Sequence, residues 1–441
     1  MSKAAESAPV TGPAVSTRSH ALAGYFRALG TEWTLLAAIL AVVALTILLD
    51  PKHVYLRIPQ RSVREILRNT SLLGIFAIGS AIVIIAGGID LSSGSVIAFS
   101  GTTFATLLLF MAPAMEDPTH PVGTGILIAA TLGTLAVGVL IGSLHAWLIT
   151  VIGLPPFVAT LATLVGLRSL ARAIVKDVVP YFVPSHSGTQ IQVPDVRFGD
   201  LTQNVWFLTG VFATVAFLCW VLMSRTVSGR HLHALGGNEQ AALLSGIRTD
   251  RLKWLAYCIS AVTASVAGIL YIGEVTVADP QTSGVGYELN AIAAAVVGGC
   301  SLMGGVGTIP GTVLGALFLR VVMDAVNKIV NKDADMYEGM IVGAVVVLAV
   351  AFSQVRQARR RGKEFFTGAL GMVTILNLTL FAGVMAILLA GDAKWAKPIG
   401  PWKLSAAAAG LMAAVLILIR LLEARSRSRI LGKAVTGPKS S

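Results

Sequence analysis

Polar side chains interrupt a long apolar stretch where the chain reads IIAGGIDLSSGSV, Ile84 to Val96. An ionisable residue in such a stretch is a candidate for function, because a charge is costly to bury in hydrocarbon. In one interpretation Asp90 caps a helix that begins near residue 94, since Asp and Ser side chains accept hydrogen bonds from the free N–H groups of a helix start. In a second interpretation Asp90, Ser92 and Ser93 present a carboxylate and hydroxyls to a polar solute. The two interpretations are compatible, because a cap that faces a cavity also meets the solute.

Two glycines precede these polar residues and break the apolar stretch. Gly87 and Gly88 are a poor place to continue a helix, since glycine costs about 1 kcal/mol relative to alanine. In hydrocarbon a helix is broken only where protein or a water-filled cavity surrounds the break. The GGxxLxxG pattern returns in VVGGCSLMGGVGTIPGTVLG, Val296 to Gly315. Two glycine-broken segments predict a central pathway between repeats, with a chance match of so short a pattern as the alternative. The predicted pathway residues are Gly87, Gly88, Asp90, Ser92, Ser93, Gly298, Gly299 and Ser301.

The second glycine-rich run has two other interpretations. Gly307, Gly311 and Gly315 are spaced by four, which predicts that two membrane helices pack closely there. A nucleotide-binding loop is the other interpretation, but the sequence contains no GxxxxGK[ST] pattern. We therefore expect close packing, and no cofactor in this chain.

No catalytic site and no metal site is predicted. Cys219, Cys258 and Cys300 lie in apolar runs at no short spacing, so they are interpreted as packing residues. His231 and His233 are two residues apart and would not share a helix face, and no third ligand is near. An enzyme within the membrane would need a nucleophile and a base at compatible depth, and the sequence offers no such set.

The longest polar loop, residues 224–253, reads SRTVSGRHLHALGGNEQAALLSGIRTDRLK. Asn238 is a good N-cap and Glu239 favours the positive end of a helix, so residues 240–245 are predicted to form a short helix that ends at Gly246. So short a helix is not stable alone, which indicates a partner; an ordinary interfacial loop is the alternative. The residues predicted to form a flexible turn before it are Gly236 and Gly237.

Membrane-spanning helices must position all these residues. Of the 441 residues, 55% are hydrophobic and 13% are charged, against about 25% charged in soluble domains. Apolar runs of roughly 17 to 25 residues recur, and such runs cross a bilayer about 30 Å thick. The sequence therefore predicts an all-α, polytopic helical membrane protein. About twelve spans are predicted, at residues 33–49, 71–88, 94–112, 123–147, 155–174, 205–223, 253–273, 289–305, 310–330, 338–356, 366–389 and 404–421.

The basic loops predict that both termini are cytoplasmic. The net charge of +12 arises in short loops and at the C-terminus, which is typical of membrane orientation rather than of nucleic-acid binding. By the parity of the spans, the basic stretches 225–253, 359–363 and 425–439 share one side. Loops 113–122 and 274–288, which contain no Lys or Arg, fall on the other side.

One loop disagrees with that orientation. Residues 50–70 are basic yet fall on the outer side. Either the span 71–88 does not cross fully, or Arg61, Arg64 and Arg68, at helical spacing, form an interfacial helix.

Three segments in this order resemble one family: AGGIDLSSGS, ALGGNEQAALLSGI and AAAVVGGCSLMGGVGTIPGTVLGAL. The segment PPFVATLATLVGLRSLAR, Pro155 to Arg172, also resembles that family. Over roughly residues 35–357 the chain is similar to the permease subunits of bacterial ABC importers for monosaccharides, the ribose, xylose and galactose type. The resemblance implies a multi-pass subunit of the inner membrane that pairs as a homodimer in the lipid bilayer.

The resemblance also implies partners outside the membrane. A cytoplasmic ABC ATPase subunit would bind ATP and Mg²⁺, and a periplasmic sugar-binding protein would deliver the solute. In that family the loop matching Gly236 to Gly246 is the coupling helix that docks into the ATPase, and the segment matching Gly87 to Ser95 lies near the translocation path. The residues assigned to coupling are Gly236, Gly237, Asn238, Glu239, Ala242, Ser245 and Gly246.

The expected organisation departs from that family at the C-terminus, because typical members stop after about ten spans. Residues 176–204 resemble an external loop that meets the binding protein. The two C-terminal spans have no assigned role. The expected segments are a disordered cytoplasmic tail at 1–32, a permease domain at 33–357, an extra two-helix membrane segment at 364–423 and a basic cytoplasmic tail at 424–441.

Other functions stay open at this point. The same machinery could carry a branched-chain amino acid, an autoinducer or a nucleoside, because the binding protein chooses the solute. A secondary transporter driven by an ion gradient is a different class and usually carries several intramembrane carboxylates or histidines. In this sequence Asp90 is nearly alone as such a residue, because His145 is assigned to the end of a span and Asp324 and Glu338 lie towards the boundaries of their apolar runs.

Overall fold

The computed structural model describes residues 17–50, 52–113, 122–184, 188–329, 368–391 and 400–435, with a few further positions between 339 and 347. The described chain is helical apart from one short antiparallel sheet. Its elements are α1 (Thr17–Leu49), α2 (Val54–Arg57), α3 (Pro59–Ile85), α4 (Ser93–Met111), α5 (Thr124–Thr150), α6 (Pro156–Ala173), a π-helical turn (Ile174–Val178), α7 (Val179–Phe182), β1 (Ile191–Gln192), α8 (Val196–Gln203), α9 (Val205–Arg225), α10 (Val227–Gly237), α11 (Glu239–Leu244), α12 (Thr249–Val275), β2 (Val277–Ala278), α13 (Tyr287–Val297), α14 (Ile309–Ile329), α15 (Gly368–Gly391) and α16 (Pro401–Val435).

Within the described residues, nine helices are long and apolar enough to cross a membrane. Each has at least 18 residues, and 18 residues at 1.5 Å per residue reach about 27 Å, close to the thickness of the hydrocarbon core. The all-α, polytopic membrane architecture is therefore confirmed.

Three helices form the centre of the bundle. The apolar windows of α3, α4 and α12 are 89%, 78% and 72% buried inside the protein, whereas those of α5, α6 and α9 are 22–28% buried. α12 packs against α3, α4 and α5, and α3 also packs against α13 and α14. The outer helices therefore present their apolar side chains outward, as lipid-facing helices do, and the three inner helices are enclosed by protein.

The basic residues after residue 57 belong to α3 and not to a separate interfacial helix. Pro59 occupies the first turn, where a missing N–H costs nothing, and the helix continues without a break to Ile85. Arg61 pairs with Glu65 one turn on, at 2.8 Å. Arg68 pairs with Glu274 near the end of α12. The predicted span 71–88 thus begins twelve residues earlier and ends at Ile85.

The predicted span 289–305 is wrong. The helix there, α13, has only 11 residues and ends at Val297. At 1.5 Å per residue it is about 16 Å long, half of what a bilayer requires. Hydropathy predicts a span as far as residue 305 because the residues after Val297 are apolar or small. The helix nevertheless ends there, at two glycines. The predicted span 338–356 lies almost entirely outside the described residues.

The terminal segments also differ from expectation. Residues 17–32, expected within a disordered tail, continue α1, because ALAGYFRALG carries apolar residues at helical spacing and no proline. Residues 1–16 lie outside the described part. The predicted two-helix segment corresponds to α15 and α16, which pack together, with Ser405 Oγ donating to the carbonyl of Gly383 at 2.9 Å. α16 extends to Val435, into the stretch expected as a basic tail.

A small sheet marks one end of the bundle, here called the sheet end. β1 and β2 pair antiparallel, with Ile191 opposite Ala278. Asp195 caps α8 by accepting from the N–H of Phe198 at 2.8 Å, and its other oxygen accepts from the N–H of Val122 at 2.6 Å. The acidic stretch 176–204 is therefore tied to neighbouring loops. The opposite end, which carries α11, is called the α11 end.

Tyr55 in α2 gives a pH-dependent contribution to stability. Its hydroxyl donates to Asp324 Oδ2 at 2.6 Å, and Lys328, which pairs with Asp324, lies 4.5 Å from the Tyr55 ring centroid. Burial, and then the hydrogen bond to Asp324, raise the pKa of Tyr55 above its usual value of about 10. The folded state therefore keeps the phenol protonated where the unfolded state ionises it, so this stability is complete below about pH 10 and is lost as pH rises further.

We expect the thermal midpoint of the wild type to fall more between pH 9 and pH 11 than that of Tyr55→Phe. The control is Tyr181→Phe, because Tyr181 is 80% exposed and has no such acceptor among the described residues. Equal pH slopes for Tyr55→Phe and the wild type would contradict the assignment.

Candidate functional site

The first glycine break ends α3 in a left-handed turn. Gly87 has φ +85°, and the N–H groups of Gly87 and Gly88 donate to the carbonyls of Ile84 and Val83, both at 2.9 Å. These two bonds form a Schellman motif, in which a glycine in the left-handed region closes the last turn of a helix. A β-carbon is disfavoured in that conformation, so the glycine at residue 87 is required by the turn.

The second glycine break ends α13 in the same way. Gly299 has φ +97° and donates to Val296, and the N–H of Cys300 donates to Ala295, both at 2.9 Å. The repeated sequence pattern thus encodes a repeated structure. The register differs by one residue, because the left-handed position is the first glycine of the first pair and the second glycine of the second pair.

One helix of the α11 end touches both breaks. The N–H of Gly305, in the turn after α13, donates to the carbonyl of Ile85 at 2.9 Å. A β-carbon on Gly236, in the last turn of α10, would overlap that same carbonyl and lie 2.5 Å from the nitrogen of Gly305. A β-carbon on Gly304 would lie 2.8 Å from Cα of Gly87. We call these five residues, Ile85, Gly87, Gly236, Gly304 and Gly305, the glycine junction.

The sequence interpretation of Gly236 therefore needs correction. Gly236 and Gly237 are the last residues of α10 and not a flexible turn. Gly236 is small because two backbones approach it closely. His233, one turn earlier, adds a contact between its Nδ1 and the carbonyl of Gly305 at 3.3 Å.

Asp90 lies within the chain that links α3 to α4, and it is 2% exposed. Its Oδ1 accepts from the N–H and the hydroxyl of Ser92, at 2.8 and 2.6 Å, and its Oδ2 accepts from Ser260 Oγ of α12 at 2.7 Å. The residue at the N-cap position of α4 is Ser92 and not Asp90. Asp90 therefore stabilises the segment before α4 through Ser92 and links that segment to α12 through Ser260. It does not cap α4, which corrects the capping interpretation.

More polar groups surround Asp90 than the sequence suggested. His145, assigned to the end of a span, is fully buried and its Nε2 lies 2.7 Å from Thr163 Oγ1. Its Nδ1 has no hydrogen-bond partner among the described residues, and the same is true of the hydroxyls of Tyr257 and Ser93. Asp90 also has no ion-pair partner in the part of the chain that the structure describes. This buried cluster is polar, yet it is closed to bulk solvent.

The remaining predicted pathway residues lie in the turn after α13. Gly298 is the C-cap of α13, and Ser301 exchanges backbone hydrogen bonds with Val306 and Gly304, both at 2.9 Å. The two predicted pathway segments therefore meet, at the glycine junction, rather than through Asp90 and Ser301. The expected close packing is confirmed for Gly311 and Gly315 of α14, whose β-carbons would overlap the carbonyls of Gly298 and Ala294, whereas Gly307 lies in the turn before α14.

The short helix α11 is confirmed where the sequence placed it. Asn238 Oδ1 accepts from the N–H of Ala241 at 3.0 Å, and Gly246 after the helix has φ +80°. Glu239 pairs with Lys253 of α12 at 2.5 Å.

Two leucines on α11 are left uncovered: Leu243 is 59% and Leu244 is 89% exposed. These two leucines form an exposed apolar pair on an otherwise polar loop. Two further predicted coupling residues complete the helix, Ala242, which is buried, and Ser245, which is its C-cap.

Among the described residues, no group of three or more His, Cys, Asp or Glu side chains is placed to hold a metal ion. The geometry instead combines broken helices, a buried polar tie and a short helix with two exposed leucines within a bundle of spanning helices. A family model described as the permease component of the branched-chain amino acid transport system matches residues 62–350. The chain belongs to this permease family.

Relatives of this permease include the ribose import permease protein of Haemophilus influenzae, 33% identical over 66% of this chain and 84% of the relative. The galactose/methyl galactoside import permease protein of Escherichia coli is 32% identical over 75% of this chain and 96% of the relative. The L-arabinose ABC transporter permease protein of Azospirillum brasilense is 32% identical over 69% and 83%. No solved structure matches the permease.

Sequence reasoning missed several residues that the structure brings to these sites. Ile85, Ser260 and Tyr257 look like ordinary residues of apolar spans, and only their tertiary neighbours give them a role. Arg168 does carry a signal in the sequence, because it is a charged residue in the middle of a predicted span.

Proposed function

We propose that this permease is the membrane subunit of an ABC importer that carries a monosaccharide across the bacterial inner membrane. Three relatives are named for ribose, galactose and arabinose transport, and their similarity covers about two thirds or more of this chain. The chain works as a homodimer, with a cytoplasmic ATPase that binds ATP and Mg²⁺ and a periplasmic sugar-binding protein. Both termini and α11 lie in the cytoplasm, as the basic loops favour.

The glycine junction is the observation that carries the proposed mechanism. When the ATPase closes on ATP, it moves α11 and with it α10, whose last turn touches both glycine breaks. A shift of Gly236 therefore reaches the end of α3 and the turn between α13 and α14 at once, because the contacts at the junction are between backbones and cannot be absorbed by side-chain rotation. The two broken helices then change their tilt together, which opens the pathway to one side or the other.

The pathway residues keep distinct roles in this mechanism. Gly87, Gly88, Gly298 and Gly299 form the two turns, and Asp90 holds the first break against α12. Ser92, Ser93 and Ser301 shape the polar ends of the breaks. No bond is made or broken in this chain, so the energy comes from the ATPase.

The exposed leucines of α11 give the direct test. We expect Leu244→Asp to abolish co-purification with the ATPase and to lower solute-stimulated ATP hydrolysis at least about tenfold, since a charge in an apolar contact is costly. The matched control is Leu56→Asp, because Leu56 is also exposed, at 63%, but lies on α2, away from α11 and from the loop 176–204. Unchanged coupling in Leu244→Asp would contradict the role of α11.

The same preparation separates the alternatives. Uptake by vesicles that contain only this chain and an ion gradient would indicate a secondary transporter. ATP-dependent uptake of leucine, a nucleoside or an autoinducer, without uptake of any monosaccharide, would keep the ABC mechanism and replace the solute.

A further inference from the structure

Between β2 and α13 the chain runs as an irregular polar coil, Asp279–Gly286, with the sequence DPQTSGVG. It begins beside Phe104 and Leu108 of α4, where Ala278 is part of the same apolar cluster. It reaches Gly94, in the first turn of α4, where the backbones of Gly284 and Gly94 touch. Ten or more residues of α4 separate those two levels, so the coil descends about 15 Å along a spanning helix.

Irregular backbone at that depth is tolerated only where protein buries it or where it lines a water-filled cavity. One face of the coil meets the first condition. Arg168 Nη1, from α6, donates to the carbonyls of Pro280, Gln281 and Ser283, at 3.1, 3.4 and 2.9 Å. To bury a guanidinium in a membrane-spanning helix costs free energy unless acceptors pair with it. Here the carbonyl oxygens of the coil are those acceptors.

The other face of the coil is open. Gln281 and Thr282 are exposed, and Val285 is 60% exposed. The Gln281 side chain has no hydrogen-bond partner within the described ranges. The Asp279 carboxylate accepts from the N–H of Gln281 at 2.8 Å and from Thr282 Oγ1 at 2.9 Å. These two hydrogen bonds hold the turn that leaves Gln281 and Thr282 exposed.

A buried carboxylate oxygen lies beside the coil, behind this open face. Glu288, in the first turn of α13, interacts electrostatically with Arg168. Its Oε2 lies against Gly94 and has no hydrogen-bond partner among the described residues. A β-carbon at residue 94 would overlap both that oxygen and the backbone carbonyl of Gly284, so the close approach of the coil to the first turn of α4 requires glycine there.

We propose that the coil Asp279–Gly286 is the solute-contacting wall of the pathway. The exposed Gln281 amide binds a hydroxyl of a monosaccharide, and the enclosed, unpaired Glu288 carboxylate oxygen binds a second hydroxyl when the pathway opens beside the first glycine break, while Arg168 holds the coil in position. This inference rests on the proposed function. An amide both donates and accepts and a carboxylate accepts, which matches hydroxyls that do both. These hydrogen bonds would make the pathway selective among solutes, because a solute that lacks one of the hydroxyls leaves a polar group of the wall without a partner.

The experiment uses the full importer in proteoliposomes, with its ATPase and binding protein. Labelled D-ribose, L-arabinose and D-galactose are offered first, and the sugar imported fastest is then compared with its monodeoxy analogues. We expect Gln281→Ala to lower import of the parent sugar about threefold to tenfold, in line with one lost hydrogen bond. Import of the monodeoxy analogue that lacks the hydroxyl bound by Gln281 falls much less. In this variant the ratio of the import rate of the parent sugar to that of the analogue therefore approaches one. Glu288→Gln gives the same pattern with a different analogue.

Two further variants separate contact from structure. Gln60→Ala is the matched control, because Gln60 is an exposed glutamine in the first turn of α3, and we expect both import rates to stay within about twofold of the wild type. Arg168→Lys keeps the charge but loses the fixed fork of donors. Because Arg168 is a positioning residue, this variant lowers import of every analogue by the same factor and leaves selectivity unchanged.

The outcomes distinguish this inference from the proposed function. If the wild-type importer carries sugar and Gln281→Ala and Glu288→Gln lower all analogues equally, or lower none, the coil is not the contact wall. If it carries an amino acid zwitterion instead, with loss of transport in Glu288→Gln, the sugar assignment is wrong. If the wild type imports none of the sugars, the proposed function fails and this inference fails with it. Thermal midpoints within a few degrees of the wild type show that each variant is folded.

Discussion

Replacement of Asp90 by alanine is expected to lower the free energy of unfolding by about 3 kcal/mol or more. The carboxylate accepts three hydrogen bonds, from the N–H and hydroxyl of Ser92 and from the hydroxyl of Ser260. Each buried donor left without an acceptor costs about 1–3 kcal/mol, and the hydroxyls can recover only part of this by rotation. The measurement is the thermal or denaturant midpoint of the detergent-solubilised chain.

Two variants make that result specific. Asp90→Asn keeps an acceptor for Ser92 and offers a donor to Ser260, so we expect an intermediate loss. Asp200→Ala is the matched control, because Asp200 is exposed on α8, and its effect should stay within about 0.5 kcal/mol. If Asp90→Ala were as stable as Asp200→Ala, the tie between the first break and α12 would not matter for the fold.

Gly236→Ala is expected to uncouple ATP hydrolysis from transport. The added β-carbon would overlap the carbonyl of Ile85, and it would crowd the nitrogen of Gly305. Both obstacles are backbone atoms, so α10 itself must move, and overpacking of this kind costs about 1–3 kcal/mol. An energy of about 1.4 kcal/mol on the balance between two conformations changes their ratio tenfold, so solute-stimulated ATPase activity should fall about tenfold.

Gly210→Ala is the control for that variant. Gly210 is a helical glycine of α9, and among the described residues no atom of another helix or side chain lies within 4 Å of the place that its β-carbon would take. We expect wild-type coupling there, because alanine favours a helix more than glycine does. Should Gly236→Ala couple as well as Gly210→Ala, the junction would not transmit the movement of α11.

The sequence predicted best what depends on local rules. The sequence predicted the bounds of α11 to within a residue, because Asn238 and Gly246 are strong boundary residues of a helix. Most spans were found because the apolar runs have the length of a membrane helix. The close approach of α13 and α14 followed from the spacing of Gly311 and Gly315.

What the sequence did not predict depends on distant contacts. A hydropathy window cannot separate α13 from the turn that follows, because glycine and cysteine are apolar enough to extend the run. The role of Gly236 was misread as flexibility, since a glycine needed for a close approach and a glycine needed for a turn look alike in sequence. Asp90 was identified as functional by its type, but its partner Ser260 lies 170 residues away.

The three cysteines have a practical consequence. Cys219, Cys258 and Cys300 are all reduced and buried. Water-soluble maleimides should therefore leave the native chain almost unmodified, so a single new thiol on α10 or on the α13–α14 turn would carry a spin label or fluorophore against a silent background. Distances between such labels, followed through an ATP cycle, would record the motion without any prior removal of native residues.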